Sequence, residues 1–342
     1  MLSSLVRDNP RAIVVLGGLV VMNIVVWAVA WLMFHDNAAL MATSLLAWCY
    51  GLRHAVDADH IAAIDNVTRK MMQQGKRPLG VGGWFSLGHS TIVILASLGL
   101  AATAAALQDD MLWFHEVGSV IGTTVSASFL LLMALVNLVI LRGIWRTFRQ
   151  FKQGNGGRLA EVDALPATGL MGRLFRSTFR LVDKSWHMYL VGLLFGLGFD
   201  TATEIGVLGI SAAGATQGMS IWSIMMFPAL FTCAMALIDT LDNVLMVGAY
   251  GWAFSKPQRK LYYNMTITAT SVVVAMFIGG MEALGLLADK LDLHTGLWQI
   301  VEGFNAQLGN AGFYVVALFI ACWVISLCNY RWKNYDALTL SS

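Results

Sequence analysis

Apolar stretches about long enough to cross a bilayer recur along the chain, separated by polar segments. A helix needs roughly 20 mainly apolar residues to span the hydrocarbon core. By that measure eight spans are predicted, at about 11–34, 39–65, 80–107, 117–141, 187–213, 219–250, 262–287 and 311–330. The predicted fold class is therefore all-α, a polytopic membrane protein with eight transmembrane helices. It forms one transmembrane domain over 1–342, with one long cytoplasmic loop at about 142–186. The second and sixth spans are the least apolar, because acids and histidines interrupt them. The first run follows Arg7 and Arg11 and exceeds the roughly 7–15 residues of a signal-peptide core, so it reads as a retained helix.

Composition agrees with the pattern. Hydrophobic residues make up 57% of the 342 and charged residues only 12%, against about 25% charged in a soluble domain. The four cysteines, Cys49, Cys233, Cys322 and Cys328, lie in or beside apolar runs and form no CxxC pair. They read as packing residues, which excludes a cysteine-built metal relay. Lys and Arg in short loops set orientation. With a cytoplasmic N-terminus, 20 of the 22 basic residues fall inside, Lys290 falls outside and Arg53 lies within a span. Both termini are then cytoplasmic. The loop at 142–186 holds Gly154-Asn155-Gly156-Gly157 and Pro166 and is expected to be flexible. No GxxxxGK[ST] sequence occurs, so the chain carries no sign of a nucleotide motor. The expected partners are the lipid bilayer and a small substrate, with no nucleic acid and no ATPase subunit.

The predicted spans nevertheless contain Arg53, His54, Asp57, Asp59, His60, Asp65, His89, Asp200, Glu204, Asp239, Asp242 and Glu282. An ionised side chain at mid-bilayer costs roughly 2.5–3.5 kcal/mol on insertion scales. These groups must face one another, water or an ion. A surplus of acids with three histidines and one arginine suits a cation pathway. Imidazoles with carboxylates favour nickel, cobalt, zinc or copper over magnesium or calcium, which take all-oxygen shells.

The densest cluster is His54-Ala55-Val56-Asp57-Ala58-Asp59-His60. At about 100° per residue, His54, Asp57, Ile61 and Asp65 share a face, while Asp59 turns roughly 140° from His54. A straight helix cannot aim all four groups at one ion. Either the helix is distorted at the motif, the reading favoured here, or Asp59 has another partner. Arg53 reads as a counter-charge rather than a ligand, and Asp65 as a solvated end residue or cap. Further clusters are Leu87-Gly88-His89-Ser90, Gly198 to Glu204 with Asp200 and Glu204 at i, i+4, and Asp239 with Asp242 at i, i+3. The GxxxG at Gly192–Gly196 reads as packing inside the bundle. Glu282, and His89 taken alone, are as well explained by helix–helix hydrogen bonds.

These residues resemble those of the nickel/cobalt transporter family, the single-component permeases called NiCoT. The second-span hallmark RHAxDADHI reads Arg53-His54-Ala55-Val56-Asp57-Ala58-Asp59-His60-Ile61. LGHS stands at 87–90, LGFDTATE at 197–204, and an FxxxMxxxDTxD element runs from Phe231 to Asp242, with Ala234 where glycine is usual. The resemblance covers the whole chain. It implies a multi-pass protein of the bacterial inner membrane that takes up nickel by secondary transport. His54, Asp59 and His60 would be essential metal residues, with Asp57 close behind. Arg53, Val56, His89, Asp200, Glu204, Asp239 and Asp242 would support the site or line the pathway. Val56 resembles the nickel-preferring branch, since the cobalt-accepting branch more often has Phe there. No resident cofactor is implied; the metal, Ni2+ or in the alternative Co2+, is the cargo.

The second and fifth spans each read Gly-Leu before an acidic motif, three spans apart, which suggests an inverted repeat of spans 1–3 and 4–6. Rival readings are cobalt uptake, metal efflux or an intramembrane metallohydrolase. Efflux relatives tend to carry histidine-rich loops, which this chain lacks. HExxH and GxSxG, the nearest hydrolase motifs, are absent.

Overall fold

A computed structural model describes residues 10–103, 108–152, 182–197, 201–253, 257–293 and 295–332. Every regular element among them is an α-helix. In chain order they are α1 (Pro10–Phe34), α2 (Ala38–His54), α3 (Ala58–Gln73), α4 (Val81–Thr103), α5 (Gln108–Lys152) and α6 (His187–Phe195). There follow α7 (Ala202–Thr216), α8 (Ile221–Ile224), α9 (Met226–Ala253), α10 (Pro257–Leu291), α11 (Leu297–Asn305) and α12 (Leu308–Trp332). Among the described residues five stretches are long and apolar enough to cross a membrane: Pro10–Phe34, Val81–Ala102, Thr123–Arg146, Ile221–Gly251 and Met265–Leu291. The chain is thus a multi-pass membrane protein.

Polarity runs opposite to that of a soluble bundle. The outer helix α1 exposes Val14, Val21, Ile24 and Leu32, which suits lipid. The polar helix α3 sits in the middle, packed by α4, α5, α9, α10 and α12. All of its residues except Asp59 and Gln73 are buried. A chain in hydrocarbon must find protein partners for its polar groups, and a central position supplies them.

This corrects the reading of Asp65, Arg69 and Lys70. Asp65 is predicted to be a solvated end residue or a cap, and Arg69 and Lys70 fall in the predicted cytoplasmic connection between the second and third spans; all three are buried. Loop assignment from hydropathy treats polar residues as solvated, and here the helix simply continues past the apolar stretch. The second predicted span is two helices, α2 and α3, separated at Ala55–Asp57. Likewise the fifth is divided between α6 and α7, and the predicted span at 117–141 lies within α5, which extends to Lys152. The segment 288–310, expected as an outer connection, contains α11.

Close crossings require glycine. A Cβ on Gly88 of α4 would stand 1.9 Å from Tyr189 O of α6, and one on Gly192 of α6 would stand 2.0 Å from Phe85 O of α4. The GxxxG therefore packs inside the bundle, as expected. On α12, a Cβ at Gly312 would meet Val56 O at 1.4 Å, so α12 lies directly against the break between α2 and α3. Where the chain re-enters the described part, Lys70 Nζ donates to Val182 O at 3.0 Å. Lys76 Nζ donates to Asp183 O at 2.9 Å and pairs with its carboxylate. The Lys76 ammonium holds the Asp183 carboxyl below its usual range.

Candidate metal site

The break after α2 arises from local hydrogen bonding. Val56 N–H donates to Arg53 O and Asp57 N–H to His54 O, both at 3.0 Å, which tightens the last turn. Asp57 then turns extended, at φ −66° and ψ 146°, and takes the N-cap position of α3. An aspartate there ordinarily accepts from the first helical N–H groups. Asp57 makes no such side-chain cap. Its Oδ2 instead accepts from His54 Nδ1 at 2.8 Å. The same break turns His60 toward His54, with ring centroids 4.6 Å apart. The helix is distorted at the motif, which removes the angular conflict of a straight helix.

Asp59 lies in the first turn of α3, and its Oδ1 accepts from His60 N at 2.9 Å. Placed there, its charge also complements the helix dipole. Arg53 is exposed at the end of α2, and Val56 lies in the break with its carbonyl against Gly312.

α4 and α7 complete the cluster. His89 stands against both other histidines, its ring 4.7 Å from His54 and 4.9 Å from His60. His54, His60 and His89 each offer a nitrogen within 4.8 Å of the others, and all three are buried. Glu204 Oε1 accepts from His89 Nε2 at 2.7 Å. Thr201, the N-cap of α7, donates to Glu204 Oε2 at 3.0 Å. From α9, Asp239 Oδ2 accepts from His60 Nδ1 at 3.3 Å and from Ser86 Oγ at 2.5 Å. Phe85 closes one side of His60, edge to face at 4.7 Å.

The carboxylates decide the tautomers. An ionised carboxylate only accepts, so Asp57 and Asp239 place the proton on Nδ1 of His54 and His60. The lone pair of each ring is then on Nε2. His60 Nε2 is buried with no hydrogen-bond partner among the described residues. His54 Nε2 faces His89 Nε2 at 2.9 Å; by the same rule Glu204 places the His89 proton on that Nε2, so the His89 lone pair is on Nδ1, which is buried with no hydrogen-bond partner among the described residues. A carboxylate on the far nitrogen is the usual outer partner of a ligating histidine, fixing its tautomer and raising its basicity.

Asp242 is half-buried on α9, within electrostatic range of Asp239 and Asp65 but apart from the three histidines. Its Oδ2 lacks a hydrogen-bond partner among the described residues. Asp200 lies outside the described residues. Glu282 accepts from Ser126 Oγ at 2.8 Å, joining α10 to α5 away from the cluster.

Sequence reasoning missed Ser86, Thr203 and Phe85. Thr203 Oγ1 lies 3.1 Å from His54 Nδ1. Helical spacing held the signal for two of them: Phe85 is at i−4 and Ser86 at i−3 from His89, one turn away on its face.

A family model described as "High-affinity nickel-transport protein" matches residues 40–329. The chain is 52% identical over 331 residues to "High-affinity nickel transport protein" of Cupriavidus necator, covering 96% of this chain and 94% of that protein. It is 54% identical over 319 residues to "Hydrogenase nickel incorporation protein HupN" of Bradyrhizobium diazoefficiens, covering 93% and 84%. It is 38% identical over 327 residues to "Cobalt transport protein NhlF" of Rhodococcus rhodochrous, covering 94% and 92%. No solved structure matches the chain.

Proposed function

The chain belongs to the high-affinity nickel-transport protein family, and on that premise we propose that it takes up nickel ions across the bacterial cytoplasmic membrane, with His54, His60 and His89 as the site the ion enters. The carrying observation is the pair of histidines whose Nδ1 atoms are tied to Asp57 and Asp239. Their lone pairs are thereby on Nε2, and that of His60 has no hydrogen-bond partner among the described residues, in a buried space that suits a cation. Borderline metals such as nickel and cobalt favour such imidazole donors.

In this reading the chain crosses the membrane eight times, with both termini cytoplasmic. Broken spans two and five, each divided at its acidic motif, support an inverted repeat of spans 1–3 and 4–6, which places sites near the bilayer midplane. The ion sheds water at the histidines and leaves inward past Asp239 and Asp242. A divalent ion moving down a 100 mV potential gains about 4.6 kcal/mol, so uptake needs no ATPase subunit. The metal is cargo, and no resident cofactor is required. Asp59 supports the site through the first turn of α3, and Val56 shapes the break.

The similarity to a protein named for cobalt transport supports cobalt as a second substrate. Radiolabelled nickel uptake into proteoliposomes, competed by cobalt, zinc and manganese with and without an uncoupler, tests the reading. We expect cobalt to compete best, and His60→Ala to abolish uptake. Uptake that survives both His54→Ala and His60→Ala would overturn the assignment.

A further inference from the structure

Beyond the histidines, α3 carries a second polar knot. Arg69 is fully buried, at 0% exposure, and is the largest such side chain among the described residues. Asn66 Oδ1 accepts from its Nη2 at 2.9 Å and from Asn137 Nδ2 at 2.5 Å. The charge partner, Asp65, lies 3.9 Å from Arg69 Nε, too far for a hydrogen bond. Both Asp65 oxygens are already engaged. Tyr250 Oη donates to one, and Ser271 Oγ donates to the other at 2.6 Å. Arg69 Nε and Nη1 consequently have no hydrogen-bond partner among the described residues. A guanidinium carries five N–H donors, and burying one with so few partners is expensive. A bundle that only needed filling at this point would do better with an apolar side chain.

Position supplies the reason. Asp239 touches His60, and Asp242 lies within electrostatic range of both Asp239 and Asp65. The acids run from the histidine cluster toward the end of α3 that carries Lys70, and Arg69 stands at the last of them. We propose that Arg69 is the charge barrier of the inward exit, a fixed cation that a passing ion must displace from the field of Asp65. This rests on the reading of the histidine cluster as a transport site. The exchange discriminates by charge. A divalent ion replacing one positive charge beside Asp65, Asp239 and Asp242 gains Coulomb energy. A monovalent ion gains none by that exchange. Arg69 thus keeps sodium and potassium from following the membrane potential along the acids that conduct the divalent ion.

The test is sodium influx into proteoliposomes of the full chain under a negative-inside potential, with nickel binding to the purified protein read in parallel. Arg69→Gln is expected to raise sodium influx by about tenfold or more over wild type, with nickel binding unchanged. Arg69→Lys, which keeps the charge, should remain near wild type. Because Arg69→Gln leaves Asp65 without its counter-charge, Asp65→Asn/Arg69→Gln serves as the better-folded companion and is expected to leak as well. A folded variant of either kind with sodium influx at the wild-type level overturns the barrier. Loss of folding in both assigns Arg69 to holding the bundle, and overturns it too. Failure of the wild-type protein to take up nickel would instead sink the transport reading, while the sodium comparison would still be read.

Discussion

At the scale of single residues, the site depends on carboxylates that do not themselves need to touch the ion. Asp57 and Asp239 hold the Nδ1 protons of His54 and His60, and so place the lone pairs on Nε2. Replacing either acid by asparagine leaves a hydrogen-bond partner but no charge. Asp57→Asn and Asp239→Asn should each weaken nickel binding by roughly 10–100-fold, whereas His60→Ala should remove it. Titration calorimetry on purified protein checks the order; equal losses for all three would place the acids on the ion itself. The candidate residues were legible in the sequence, because charged groups in apolar runs demand a purpose. Which acid serves which histidine was not. The Asp239–His60 pairing joins positions 179 residues apart, and no local pattern records such a contact.

At the scale of elements, the breaks matter more than the helices. Hydropathy located the apolar runs, and helical geometry showed that a straight second span could not converge its ligands. The break falls where Asp57 turns extended, and its side chain bonds His54 instead of capping α3. That choice needs the imidazole in place, and propensity alone does not foresee it. The extent of α3 was likewise hidden, because a polar sequence is read as solvated until its neighbours are known. Between elements, the α4–α6 crossing is closed from both sides, with Gly88 and Gly192 each against the other helix's carbonyl groups. Gly88→Ala should therefore cost about 1–3 kcal/mol by overpacking. Thermal unfolding in detergent should show it as a lowered midpoint. Gly17→Ala on α1, where nothing lies within 4 Å of the added carbon, is the matched control and should not lower the midpoint.

At the scale of the whole molecule, a polar centre is enclosed by apolar helices, and its chemistry responds to what reaches that centre. Protons compete with metal for imidazole nitrogen. Nickel uptake at fixed membrane potential should accordingly fall as the outer pH is lowered, and a rise would argue that protons drive rather than oppose entry. The same enclosure bears on how the protein is made. α3, with Asp59, His60, Asp65, Arg69 and Lys70 in its 16 residues, is a poor candidate for entry into lipid on its own, since each such charge at the centre of a span costs roughly 2.5–3.5 kcal/mol. Its packing partners α4, α5, α9, α10 and α12 all follow it in the chain. During synthesis the segment that builds the site must wait at the membrane surface, or beside the insertion machinery, until later helices arrive to receive it. Biogenesis therefore ends with the site, and a chain truncated before α9 should lack a settled α3 as well as the acids Asp239 and Asp242.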